Sequence, residues 1–188
     1  MTNLTNNLLS QNHFQLLGLP LSFDIERQAL DKAYRQLQQV SHPDKFINQP
    51  SEFQRRAVQQ TALNTEAYQA LKSPVQRASH LLSLLNHTFD LNSYTVSDIE
   101  LLMQQMQYRE QLSDIKDEKD IEQLDDFADK VSELTKQTQQ RISQAFVPLL
   151  SEQADADFNV EQMKSLICEL QFLNKLTVDL DEVEELLM

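Results

Sequence analysis

A chain of 188 residues suits one large or two small domains, and its 29 acidic against 16 basic side chains leave a net charge of −13 that argues against nucleic acid as a partner. A single glycine, Gly18, allows no glycine-rich phosphate loop. A single cysteine, Cys168, allows no intramolecular disulfide and no Cys-x-x-Cys pair for zinc or thiol exchange. Little glycine, no tryptophan and five prolines that fall mostly between periodic runs point to an all-α chain with short connections. Cys168 is expected to pack near a helix surface and not to react.

Charge divides the chain. Residues 1–90 hold eight basic and seven acidic side chains, whereas residues 91–188 hold eight and 22, so the two halves are suited to different partners. The amino terminus lacks the basic segment and long apolar core of a secretion signal, and it has no arginine of the kind a mitochondrial presequence needs. Nothing resembles a membrane span, so the expected location is cytoplasmic.

In chain order, Ser10 is expected to cap a short helix to about Leu17, ended by Gly18 and Pro20. Asp24 is the expected cap of the next helix. Ile25, Ala29, Leu30, Ala33, Leu37 and Val40 fall within about 140° of arc at 100° per residue, which makes a core stripe. Arg27, Lys32 and Arg35 take the opposite side, with Asp31 among them. Pro43 has no N–H and biases His42 away from the α region, so this helix stops near Ser41. A short polar loop then presents His42 and Asp44 beside Lys45, at the tip of a helical hairpin.

A second arm runs from Ser51 to Leu71, with Phe53, Ala57, Ala62, Ala67, Tyr68 and Leu71 available for packing. Pro74 suits the first turn of a further helix reaching Leu85. The Asn/Asp/Ser-rich stretch after it reads as a linker, giving domains at 10–85 and 98–188 joined by 86–97. Ser97 is the expected cap of a helix with two apolar stripes. Leu101, Tyr108, Leu112 and Ile115 form one. Ile99, Leu102, Met103 and Met106 form the other, continued by Glu110 and Asp114. One stripe serves a core, and the second needs another partner.

From Asp120 to Val147 a long helix carries Leu124, Ala128, Val131, Thr135, Thr138, Ile142, Ala145 and Leu149 in steps of three and four, a coiled-coil-like seam that Pro148 ends. Asn159 should cap the last long helix, whose stripe is Val160, Met163, Leu166, Ile167, Leu170 and Leu173. Phe172 lies about 180° from Met163 and so off that stripe, which makes it a candidate contact residue. A short helix, Asp181–Leu187, is expected to follow. The acidic half thus reads as an antiparallel three-helix bundle with a short tail.

Three segments resemble the J-domain, the module that stimulates ATP hydrolysis in Hsp70 chaperones: Phe14-Gln-Leu16-Leu17-Gly18-Leu19, His42-Pro43-Asp44, and Asn64-Thr-Glu66-Ala67-Tyr68-Gln-Ala70-Leu71-Lys-Ser73-Pro74 with Arg77 after it. They occur in the family's order. The resemblance implies that His42, Pro43, Asp44 and Lys45, with the basic face of Lys32, Arg35 and Arg27, meet an acidic surface on the Hsp70.

Beyond that module, Leu101-Leu102-Met103-Gln-Gln-Met106-Gln-Tyr-Arg109-Glu110-Gln-Leu112 resembles the Leu-Met-Glu-Gln-Leu-Glu-x-Arg-Glu motif of the HscB co-chaperones. Gln171-Phe172-Leu173-Asn174-Lys175-Leu176 resembles their Arg-Phe-Leu-Asp-Lys-Leu, and Arg77-Ala78-Ser-His-Leu81-Leu82 their Arg-Ala-x-x-Leu-Leu. The chain is identified as similar to that family from about residue 11 to 187. The absence of amino-terminal Cys-x-x-Cys pairs makes it look like the bacterial form.

The resemblance implies a J-type co-chaperone, not itself an enzyme, that stimulates the ATPase of the specialised Hsp70 HscA. It further implies delivery of the iron–sulfur scaffold protein IscU to that chaperone, assisting maturation of iron–sulfur proteins without a cofactor or metal of its own. Scaffold-binding positions carry over as Leu102, Met103, Met106, Gln107, Glu110, Asp114 and Phe172. Gln107 stands where the family often has Glu, and Asp114 also matches a Glu position.

Two other readings compete. His42 and Asp44 can act as a general base or metal pair, but His13, His80 and His87 form no ligand spacing with them. Alternatively, the bundle serves a different client, or dimerises through the seam beginning at Leu124.

Overall fold

The computed structural model describes residues 11–91, 99–150 (149 and 150 by backbone only) and 159–187. Every regular element among them is helical, and no described helix is long and apolar enough to cross a membrane. The chain divides into two compact units, Met1–Leu84 and Leu85–Met188.

The first unit begins with α1, His13–Leu17. Ser10 lies outside the described residues, and the observed cap is Asn12. Its side chain accepts from Gln15 N–H at 2.9 Å, while Gln15 Oε1 accepts from Asn12 N–H at 3.1 Å, a reciprocal capping box. Gly18 closes the helix in the left-handed region at φ 64°, where a side chain would be strained.

Helix α2 spans Arg27–Ser41, so the expected cap at Asp24 is not used; Glu26 precedes the helix without a side-chain cap. The reason lies in Phe23, which is buried while its carbonyl accepts from Arg77 at 2.6 Å. Arg77 also donates from Nε to Leu71 O at 2.8 Å, and its guanidinium stands 5.5 Å from the Phe23 ring centre. Residues 23–26 are thereby committed to a loop fastened to the start of α4.

The α2 stripe is buried at Leu30 but not at Val40, which is 71% exposed. Ser41 is the buried residue at that end, and a neighbour in sequence lies about 100° around the helix from it. A 3₁₀ turn follows at Pro43–Phe46, then α3 at Ser51–Lys72 and α4 at Pro74–Leu84, with Pro74 in the first turn as expected. Helix α3 packs along α2 and carries α1 and α4 against it. It buries Ala57, Asn64, Ala67 and Leu71, whereas Phe53 and Ala62 are exposed. Phe53 sits in the first turn of α3, beyond the level at which Ser41 ends α2.

The second unit comprises α5 (Ile99–Glu118), α6 (Ile121–Leu150) and α7 (Val160–Leu187). Ser97 and the seam position Leu149 fall outside what is described of side chains. Asp120 caps α6 by accepting from Gln123 N–H at 3.0 Å, and Asn159 caps α7 by accepting from Gln162 N–H at 3.0 Å. Lys119, at φ 56°, makes the left-handed joint between α5 and α6.

The main interface of this unit joins α6 to α7, with α5 packed on both. Four corrections to the sequence reading arise here. The α6 seam buries Leu124, Val131, Thr138 and Ile142 as expected, but Phe127 and Phe146 fill the positions between them while Ala128 faces out. The helix continues past Pro148 to Leu150, because a proline in the last turn removes only one donor near an end already short of partners. No separate helix occupies 181–187: Leu176, Leu180 and Val183 extend the buried stripe of α7 without a breaker. Cys168 is buried, not superficial, and burial pushes its thiol pKa up.

Candidate functional sites

The loop at the hairpin tip is fixed from beneath. Ser41 Oγ donates to Leu37 O at 2.9 Å and accepts from Asn64 Nδ2 at 3.1 Å. Thr61 Oγ1 donates to Ser41 O at 3.0 Å, and Asn64 Oδ1 accepts from Gln60 Nε2 at 2.8 Å. Asn64 is fully buried, so its amide is held in a satisfied network at the end of α2. On the far leg, Gln54 Nε2 donates to Ile47 O at 3.0 Å and to Gln49 O at 2.9 Å. Both legs are therefore tied to α3.

Between those legs His42, Asp44 and Lys45 are exposed and Pro43 is half-buried. His42 Nδ1 accepts from Asp44 N–H at 3.3 Å, and Lys45 N–H donates to His42 O at 3.1 Å. The same His42 nitrogen lies 3.5 Å from Asp44 Oδ2. No described group of three or more His, Cys, Asp or Glu side chains could hold a metal ion.

The basic side of α2 is unevenly available. Arg27 Nε lies 2.9 Å from Asp31 Oδ1, and Arg27 also donates to Tyr68 Oη at 3.2 Å. Tyr68 Oη donates to Asp31 at 2.9 Å, which with the Arg27 guanidinium holds the Asp31 carboxyl below its usual range and pushes the Tyr68 phenol up. Arg35 donates from Nε to Asp31 O at 3.2 Å. Lys32 and Arg35 are exposed on this face, and Arg27 is the one most engaged by its own unit.

In the second unit, α5 carries the two stripes the sequence implies. Leu101, Tyr108, Leu112 and Ile115 are buried, whereas Leu102, Met103 and Met106 are exposed, Met106 by 71%. Ile99, at the helix start, is exposed with them. Gln107, Glu110 and Asp114 continue that line into an open cleft of about 380 Å³, together with Gln111, Glu118 and, from α6, Gln123. Glu118 and Gln123 had no motif or periodicity to mark them.

Phe172 does not stand apart as an outward aromatic. It is 9% exposed and belongs to the core with Tyr108 and Phe127. Its ring centre is 6.4 Å from that of Tyr108, which is 5.8 Å from that of Phe127. Arg109 and Lys130 flank the group, at 5.5 Å from Phe172 and 5.0 Å from Tyr108. Helix α7 lies against both α5 and α6, so the side opposite Met163 is buried as well.

A family profile described as the HSCB C-terminal oligomerisation domain matches residues 97–181. Co-chaperone protein HscB homologs of Shewanella halifaxensis and Shewanella loihica are 37% and 38% identical, each over 94% of this chain and 98% and 99% of their own. Among solved structures, chaperone HscB from Vibrio cholerae superimposes with a TM-score of 0.78 at 31% identity, covering 95% of this chain and all of that one. Human co-chaperone protein HscB shares the fold, with a TM-score of 0.80 at 21% identity over 93% of this chain and 83% of its own.

A clamped His-Pro-Asp loop on a helical hairpin, followed by an all-helical second unit, defines a co-chaperone of the J-domain type. With such identity along nearly its whole length, the chain belongs to the HscB co-chaperone family.

Proposed function

We propose that the protein stimulates the ATPase of the specialised Hsp70 HscA and delivers the iron–sulfur scaffold protein IscU to it, in the cytoplasm. The observation that carries this reading is the His42-Pro43-Asp44 loop, exposed at the tip and tied to α3 on both legs. Its groups act by favouring one chaperone conformation, which requires that they bind two chaperone states with different affinity. Lys32, Arg35 and Lys45 supply charge for an acidic surface, and Arg27 contributes less because Asp31 and Tyr68 already engage it.

On the second unit the scaffold's site is Leu102, Met103 and Met106, with Gln107, Glu110 and Asp114 along its rim. Phe172 supports this face from within, packed on Tyr108 of the same helix. The decisive experiment is the steady-state ATPase rate of HscA with IscU, adding this protein or its His42→Gln variant. Strong stimulation by the parent alone is expected. Absence of stimulation by either protein sinks the proposal.

One observation favours a second reading, self-association of the bundle: the matching profile is described as an oligomerisation domain. The seam from Leu124 is not free for it, since Leu124, Val131, Thr138 and Ile142 are already buried in the bundle. Sedimentation with and without the scaffold separates the two readings.

A further inference from the structure

The tip of the hairpin makes few bonds of its own. Within it, Asp44 N–H donates to His42 Nδ1 and Lys45 N–H to His42 O, and both are local to the turn. What relates the turn to the rest of the unit comes from α3. Thr61 has one hydroxyl proton and donates it to the carbonyl of Ser41, the residue immediately before His42. About one helical turn from Thr61, Asn64 holds the Ser41 hydroxyl. Two turns earlier on α3, Gln54 divides its two amide protons between the carbonyls of Ile47 and Gln49.

We propose that Gln54 and Thr61 are positioning residues that hold the His42-Pro43-Asp44 loop in the shape its chaperone partner recognises. The inference rests on the co-chaperone reading above and extends it from the loop to residues that do not touch the partner. Gln54 is the more telling of the two, because it is exposed and contributes no core packing. A surface glutamine that satisfies two loop carbonyls restricts the loop without a structural duty elsewhere.

A loop released on one leg populates its recognised shape for only a fraction of the time. The apparent affinity falls by that fraction, while saturating partner still selects the competent shape. Losing a clamp bond should therefore raise the half-stimulating concentration about two- to tenfold with the saturating rate preserved. His42→Gln differs, since it alters the recognised group and should lose the saturating rate.

The test measures HscA ATPase against concentration of the full chain for the parent, Gln54→Ala, Thr61→Val, Thr61→Ser and His42→Gln. Amide exchange at residues 42–47 and thermal melting are followed in parallel. Thr61→Val keeps the shape and removes the donor, and Thr61→Ser restores it. Support consists of faster exchange and raised half-stimulating concentrations for Gln54→Ala and Thr61→Val, parental values for Thr61→Ser, and unchanged melting of Gln54→Ala. Parental stimulation curves for both folded clamp variants overturn the proposal. An inactive parent overturns the co-chaperone reading instead, and the exchange data then decide the clamp alone: unchanged exchange in the variants removes it.

Discussion

A ring nitrogen that accepts a backbone N–H cannot take a proton without losing that bond. His80 Nε2 accepts from His13 N–H at 3.4 Å, and the two imidazoles stack with centres 4.1 Å apart. Phe14 lies 5.9 Å from the His80 ring centre. Burial first, and the His13 ring second, lower the His80 pKa from 6.5 to about 4. Burial lowers His13 as well, opposed by Glu66 of α3. Between those values the unfolded ring binds more protons than the folded one, so stability rises with pH across the window. The contribution is complete above pH 6.5 and is lost as pH falls through about 4. Solvent screening at these half-buried rings keeps the loss below what the full shift implies. Melting of the first unit followed from pH 7.5 to 5 should show this decline, and His80→Gln should flatten it. An equal decline in the variant would assign the effect to other groups.

At the scale of elements, some caps and breaks were legible: Asn159, Pro74 and Gly18 act where residue type alone puts them. Both apolar stripes of α5 were legible too, because that helix is amphipathic twice over. Helix α7 was not, since between Met163 and Leu173 it is buried on opposite sides and a single-stripe reading leaves Phe172 outside. The Asp24 boundary failed for a tertiary reason, the distant hold of Arg77 on Phe23. The clamp on the loop could not be read at all, because it joins polar side chains on one helix to carbonyls of another segment. These differences change what mutations should do. Phe172→Ala opens a cavity beside the Tyr108 and Phe127 rings and should cost the bundle about 3–5 kcal/mol in urea unfolding. Met106→Ala, on the exposed stripe, should fall within about 0.5 kcal/mol of the parent. Comparable losses from both would mean that Met106 is not an exposed contact. The joint between α5 and α6 offers a gain: Lys119 is held at φ 56°, and Lys119→Gly should stabilise by about 0.5–1 kcal/mol in the same assay. A loss would show that the lysine side chain has a packing role.

Across the whole molecule, the two proposed kinds of recognition fall in separate compact units, one near neutral and one strongly acidic. That division predicts that each can be removed without the other. In the proposed function the exposed stripe of α5 supplies apolar anchors, and truncating a central anchor costs about 2–4 kcal/mol of binding. Carboxylates at its edge, Glu110 and Asp114, are exposed and sit in an open cleft, so neutralising them should act mainly on the association rate and its dependence on salt. Leu102→Ala with Met106→Ala should therefore weaken IscU binding by an increase in dissociation rate, whereas Glu110→Gln with Asp114→Asn should slow association at low salt. Neither pair belongs to the unit that carries the loop, so stimulation of HscA in the absence of IscU should keep its parental dependence on concentration. His42→Gln should do the reverse, losing stimulation while IscU binds as to the parent. Stopped-flow binding and ATPase rates on the same set of proteins distinguish this from a single shared surface. A shared surface would make every variant lose both activities together, because each partner's contacts would then draw on the same residues.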